Sequence, residues 1–125
     1  MCHQTVSLVA REIEAAGIPT VIIGAAKDIV ETVGVPRFVF SDVPLGNSMG
    51  LPSDATSQAE VLEYGFRLLE TAIGPRTTVQ TPVRWPGDGH SWKRDIMNLN
   101  SLTQEAIDKA RADFEHQKTL AAVNR

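Results

Sequence analysis

The run Thr20-Val21-Ile22-Ile23 is short and β-branched throughout, and its apolar residues fall on both faces. That is the pattern of a strand buried inside a parallel sheet, where helices cover both sides, not of a strand with one wet face. Parallel neighbours cannot be joined by a hairpin; each needs a crossover, normally a helix. Pro19 separates the run from a preceding helical pattern, and Gly24-Ala25-Ala26 turns it tightly into a following one.

The flanking segments agree with that requirement. Thr5 to Ala16 reads as a helix with Val6, Val9, Ile13 and Ala16 on its inner face and Arg11, Glu12 and Glu14 toward solvent. Gly17 is its expected C-cap. Lys27 to Val33 reads as a short helix that turns Ile29, Val30 and Val33 inward and stops at Gly34. After Pro36, Arg37 to Ser41 reads as a second strand. Ser57 to Ala72 is a third helix, with Val61, Leu62, Leu68, Leu69 and Ala72 inside and Gly74-Pro75 at its end, and Thr77 to Thr81 is a third strand. Arg84 to Asn100 is irregular and holds Trp85 and Trp92. Ser101 and Gln104 resemble a capping box before a last helix over 102–120, striped by Leu102, Ala106, Ala110 and Phe114.

These readings predict a single α/β domain or domain fragment over 1–125: a partial three-layer, Rossmann-like parallel sheet with helical crossovers. Residues 1–75 form the core, and 76–125 an irregular segment plus a C-terminal helix. The first helix ought to follow a strand, and that first strand is missing. The expected result is an open sheet edge and an apolar helix face, covered either by a partner or by further chain.

Composition narrows the function classes. A formal net charge of -3 over 125 residues argues against a general nucleic-acid binder. No apolar run is long enough to span a bilayer, and charged residues interrupt the first apolar stretch, so no secretory signal is expected. The one cysteine, Cys2, permits no internal disulfide. The expectation is a cytoplasmic protein with neither nucleic-acid nor membrane partners.

Candidate chemistry gathers at two places. The Pro/Gly loop from Asp42 to Asp54 leaves the C-terminal end of a strand, where open α/β sheets bind ligands. Within it, Pro44, Gly46 and Asn47 are candidate substrate-binding residues. Glycine lets backbone N–H groups approach a carboxylate, and the Asn47 amide can donate; the alternative is a structural turn. Cys2 precedes a helix, which favours a thiolate; the alternative is a terminal cysteine with no chemical task. His3 beside it makes an adjacent pair, and one pair makes no metal site. Arg37 and Asp42 bracket the second strand, as catalytic-edge groups or as a solvated strand end. Arg76, Arg84, Lys93 and Arg94 with the tryptophans read as an anion pocket or as a packed segment anchored by the indoles. His90 has no evident orienting partner, His116 reads as surface, and Glu12 and Glu14 do not face one another on a helix.

Three ordered segments carry a resemblance: Cys2 through Val21, with Glu12-Ile13-Glu14-Ala15-Ala16-Gly17-Ile18-Pro19 at its heart; Thr32-Val33-Gly34-Val35-Pro36-Arg37-Phe38-Val39; and Pro44-Leu45-Gly46-Asn47. Together they resemble the C-terminal part of the selenoprotein B subunit of the glycine/sarcosine/betaine reductases, over roughly the first half of the chain. In that family a selenocysteine-x-x-Cys motif precedes the first helix. Cys2 aligns with its cysteine, and the selenocysteine would lie two residues before Met1. Thr5 stands where some members have a further cysteine, and Ser48 where proline is usual.

The resemblance implies reductive cleavage of a carbon–nitrogen bond in a small amine or amino acid. The substrate is activated on a pyruvoyl group of a partner subunit, a selenol displaces the amine, and Cys2 serves as the catalytic redox thiol. It also implies other reductase subunits, or self-association, as partners. Because selenocysteine is encoded by UGA, a reading frame restarted after such a codon would begin at a methionine placed like Met1. The expected product is then a truncated chain, inactive alone. The rival expectations are a non-catalytic association domain and a small-carboxylate binding domain.

Overall fold

The computed structural model describes residues 2–93 and, beyond them, 103–105, 108, 109, 111 and 112. The chain divides into two compact units, Met1–Gly89 and His90–Arg125.

The first unit is α/β. Helix α1 spans Cys2–Ala15, strand β1 Ile22–Gly24, helix α2 Lys27–Val33, strand β2 Arg37–Phe40, helix α3 Ala55–Thr71 and strand β3 Thr77–Gln80. The strands form one parallel sheet in the order β1-β2-β3. Ile22 pairs with Phe38 and Gly24 with Phe40; Arg37 pairs with Thr77 and Phe40 with Gln80. Successive strand residues point to opposite faces, so two cores result. On one face Ile22 and Phe38 pack with Ala10 of α1, Val30 of α2 and Val35. On the other, Ile23 packs with Val61 of α3, Val43 and Val83, and Trp85 lies against that cluster.

Local chemistry explains the boundaries. Gly17 and Gly34 end α1 and α2 at positive φ, 83° and 81°, a region that costs glycine little. The Gly17 amide donates to Glu14 and the Ile18 amide to Ile13, which closes α1 as a Schellman motif. Asp54 caps α3, its Oδ1 accepting from the amides of Thr56 and Ser57 at 3.0 and 3.2 Å. This cap starts α3 ahead of the expected Ser57. The first strand begins at Ile22, later than Thr20, because Thr20 is held by Glu14 instead of the ladder.

Three helix faces differ from the periodicity; in α2 only Val30 is buried, and Ile29, expected inward, is 37% exposed. In α1 the buried residues are Ser7 and Ala10, with His3 and Glu14 half-buried on the same face. Val6, Val9 and Ile13 stay 44%, 49% and 36% exposed. Small Ser7 and Ala10 let the helix lie close to the sheet and α2, while His3 and Glu14 make polar contacts at either end. In α3, Val61, Gly65 and Leu68 form the inner face and Leu62 is exposed. Gly65 lets α3 lie close to the Ile23 side chain, to which a Cβ there would approach to 3.3 Å.

In the second unit, Gln104, Glu105, Asp108, Lys109, Arg111 and Ala112 are helical, and the Gln104 amide donates to Asp108 at 3.0 Å. Ser101, Leu102, Ala106, Ala110, Phe114, His116 and Arg94 lie outside the described residues. Among the described residues no helix is long and apolar enough to cross a membrane.

Candidate functional site

The start of α1, the end of β1 and the loop after β2 meet at the C-terminal end of the parallel strands. They enclose an open cleft of about 330 Å³ lined by Cys2, His3, Val6, Ile23, Gly46, Ser48 and Met49. This is the position at which open α/β sheets bind ligands. The cleft brings Cys2 and Gly46, two of the candidates read from the sequence, to one place.

Cys2 does not precede the helix, as expected, but is the first residue of α1, which starts three residues before the expected Thr5; its side chain is exposed. Its Sγ lies 3.5 Å from Nδ1 of His3. The His3 ring reaches across to the loop after β1, where its Nε2 accepts from the Ala25 amide at 3.1 Å. Gly24 makes room for the ring: a Cβ there would lie 2.9 Å from the imidazole Cδ2. Ser7, fully buried one turn on, donates its hydroxyl to the His3 carbonyl at 2.6 Å. His3 is thus tied to the fold at its backbone and at its ring.

The loop is held from behind. Asn47 donates its amide N–H to the Pro44 carbonyl at 3.1 Å, its side-chain amide approaches the same oxygen at 3.4 Å, and the Gly50 amide donates back to Asn47. Pro44 and Asn47 therefore build the turn, while Gly46, Ser48 and Met49 face the cleft. The far side of the loop is fastened to α3: Ser57 Oγ accepts from the Leu51 amide at 2.9 Å, and Gln58 donates to the Leu51 carbonyl at 3.0 Å. Gly50, at φ 112°, passes so near α3 that a Cβ would sit 2.8 Å from the Gln58 nitrogen.

At the opposite end of the sheet, Arg37 pairs with Glu14 at 2.7 Å, their side chains 21% and 20% exposed. Glu14 also accepts from the Thr20 hydroxyl at 3.0 Å and from the Thr20 amide. Burial pushes the Glu14 carboxyl up, but the Thr20 donors and the Arg37 charge outweigh it and hold the group below its usual value of 4.5. Arg37 is thus a latch on α1 and takes no part in the cleft.

The remaining candidates lie apart. Arg76 borders a separate hollow with Glu31, Gly34, Val35 and Thr78. Trp85 is packed against the second core. In the other unit, the Lys93 ammonium sits 5.4 Å from the centre of the Trp92 ring, and His90 is exposed. No group of three or more His, Cys, Asp or Glu among the described residues is arranged to hold a metal ion. Sequence reasoning passed over the link between His3 and Ala25. The available signal was a histidine next to the cysteine, with a glycine at the end of a strand.

No family profile matches the chain, and no solved structure matches it. Among curated proteins, D-proline reductase subunit gamma of Acetoanaerobium sticklandii is 40% identical over 68 residues, covering 54% of this chain. The chain spans about a quarter of that relative, the matched segment being 28% of its length. The similarity supports a relationship to a reductase subunit.

Proposed function

We propose that this chain is the thiol-bearing part of a reductase subunit that cleaves a carbon–nitrogen bond in a small amine or amino acid. D-proline or a related cyclic amino acid is the favoured substrate class. The observation that carries the reading is the exposed Cys2 sulfur at the mouth of a cleft at the C-terminal end of the sheet, in a chain 40% identical over 68 residues to a D-proline reductase subunit. The finer fold reading is a Rossmann-like sheet of which the three strands are a part.

Reductive cleavage breaks C–N, forms C–H and N–H, and consumes two electrons and two protons. Cys2 and a second chalcogen supply both when their S–H and Se–H (or S–H) groups join as one bond, which an external thiol reductant then reopens. A selenol on the preceding segment and a carbonyl group on a partner subunit, as in the selenoprotein B reductases, would supply the nucleophile and the substrate activation. The exposed position of Cys2 fits such an incoming group. Gly46, Ser48 and Met49 shape the wall against which a substrate of a few heavy atoms packs.

The relative is named as a subunit. The exposed Val6, Val9 and Ile13 stripe of α1 fits burial against another subunit of such an assembly. The chain taken from its native cells should sediment as part of a larger complex; a clean monomer would remove this second element.

The first experiment reads the genomic DNA upstream of the Met1 codon. An in-frame UGA or cysteine codon two positions earlier, within an open frame, is expected. An ordinary untranslated region there would overturn the redox-pair reading and favour association or carboxylate binding.

A further inference from the structure

The Cys2 sulfur has one neighbour whose proton position the fold itself dictates. A backbone amide can only donate. Because the Ala25 N–H points at Nε2 of His3 at 3.1 Å, Nε2 is the acceptor. In neutral imidazole one ring nitrogen accepts and the other carries the proton, so the proton sits on Nδ1, the atom 3.5 Å from Cys2 Sγ. We infer that His3 is a positioning residue for the Cys2 thiol. Its Nδ1–H is aimed at the sulfur by the Ala25 amide, and it supports the sulfur whenever it carries negative charge.

Three features beyond the pair itself serve this arrangement. Gly24 leaves the space that the ring occupies, since a side chain there would stand 2.9 to 3.1 Å from the imidazole. The buried Ser7 hydroxyl pins the His3 carbonyl. The ring and the sulfur both line the same cleft, so the donor meets the sulfur on the side a reactant approaches. A histidine with a merely structural task would make the same Ala25 contact and carry the same proton on Nδ1, so the reactivity of the Cys2 sulfur is the readout that separates the two roles.

This inference rests on the reading of Cys2 as the redox thiol, yet its tests need no reductase turnover, so the two can fail separately. Long-range ¹H–¹⁵N spectra of the intact, unmodified chain report the tautomer, and the neutral His3 ring is expected to carry its proton on Nδ1. A proton on Nε2 would overturn the inference outright.

The second measurement is the rate at which Cys2 displaces iodide from iodoacetamide in the folded chain. His3→Gln keeps an acceptor near Ala25 but removes the donor at the sulfur; it should slow alkylation roughly three- to tenfold. His3→Asn places an amide N–H near the Nδ1 position and should stay within about twofold of the original rate. Equal rates for His3→Gln and the parent, at unchanged circular dichroism, would contradict the inference. If the spectra and rates agree with it while amine reduction is absent, the thiol site stands and the reductase reading falls.

Discussion

Replacing Glu14 with glutamine tests whether the latch at the far end of α1 holds the helix that presents Cys2. The substituted amide would keep an oxygen for the Thr20 amide and hydroxyl but would leave the Arg37 charge without a counterion. The Arg37 Nε is already buried without a partner among the described residues, so this guanidinium has little other compensation. Exposed ion pairs contribute about 0–1 kcal/mol, and removing one partner of a buried pair costs about 3–5 kcal/mol. With side chains 21% and 20% exposed, the pair lies between these limits, and a loss of about 2–3 kcal/mol follows. For a unit of this size that corresponds to a fall in Tm of roughly 8–24 °C.

The pH dependence has a definite sign. The Glu14 carboxyl is held below 4.5 in the folded state. Its stabilising contribution is therefore fully present above that ordinary value and is lost as pH falls through the lower folded-state value. Urea unfolding of the parent and of Glu14→Gln at pH 7 and at pH 3 should show a clear gap in midpoint at pH 7 that narrows at pH 3. Equal midpoints at pH 7, or a gap of constant size, would refute the assignment of stability to this pair.

Two further changes probe the loop that walls the cleft. Gly50→Ala must place a Cβ 2.8 Å from the Gln58 nitrogen at φ 112°, so it should lower stability by about 1–3 kcal/mol and raise proteolytic cutting between Gly46 and Ser53; an unchanged urea midpoint would show that the loop does not lie against α3. Asp54→Ala removes the acceptor for the Thr56 and Ser57 amides and should cost about 1 kcal/mol by denaturant unfolding, with Asp54→Asn retaining most of it.

Much of the fold was legible because its signals were local. Gly34 marks the end of α2 through a positive φ, and β2, Arg37–Phe40, falls within the strand expected over Arg37 to Ser41. The seat of α1 was not legible. Counting apolar residues selects Val6, Val9 and Ile13, yet the helix sits on Ser7 and Ala10 because small side chains allow close approach and two polar contacts fix its ends. Those contacts join residues 22 and 23 positions apart, which periodicity does not register. Leu62 went the same way in α3, where Gly65 serves as the contact. The cleft was half legible: Cys2 and Gly46 could be singled out from helix start and loop composition. Ser48 and Met49 entered it only once the turn through Pro44 and Asn47 was formed. The similarity to a D-proline reductase subunit supports the reductase relationship at a coarser level than the selenoprotein B resemblance.

The most direct measurement is substrate-dependent amine reduction in extracts of the native producer, before and after a chromosomal Cys2→Ser change, with the chain's abundance followed in parallel. D-proline, glycine, sarcosine and betaine are supplied separately with a dithiol reductant. Loss of reduction of one of them, at undiminished abundance of the chain, is the predicted result. Undiminished reduction of all four, or none in the parent extract, would contradict the central claim that Cys2 is the redox thiol of an amine-cleaving reductase.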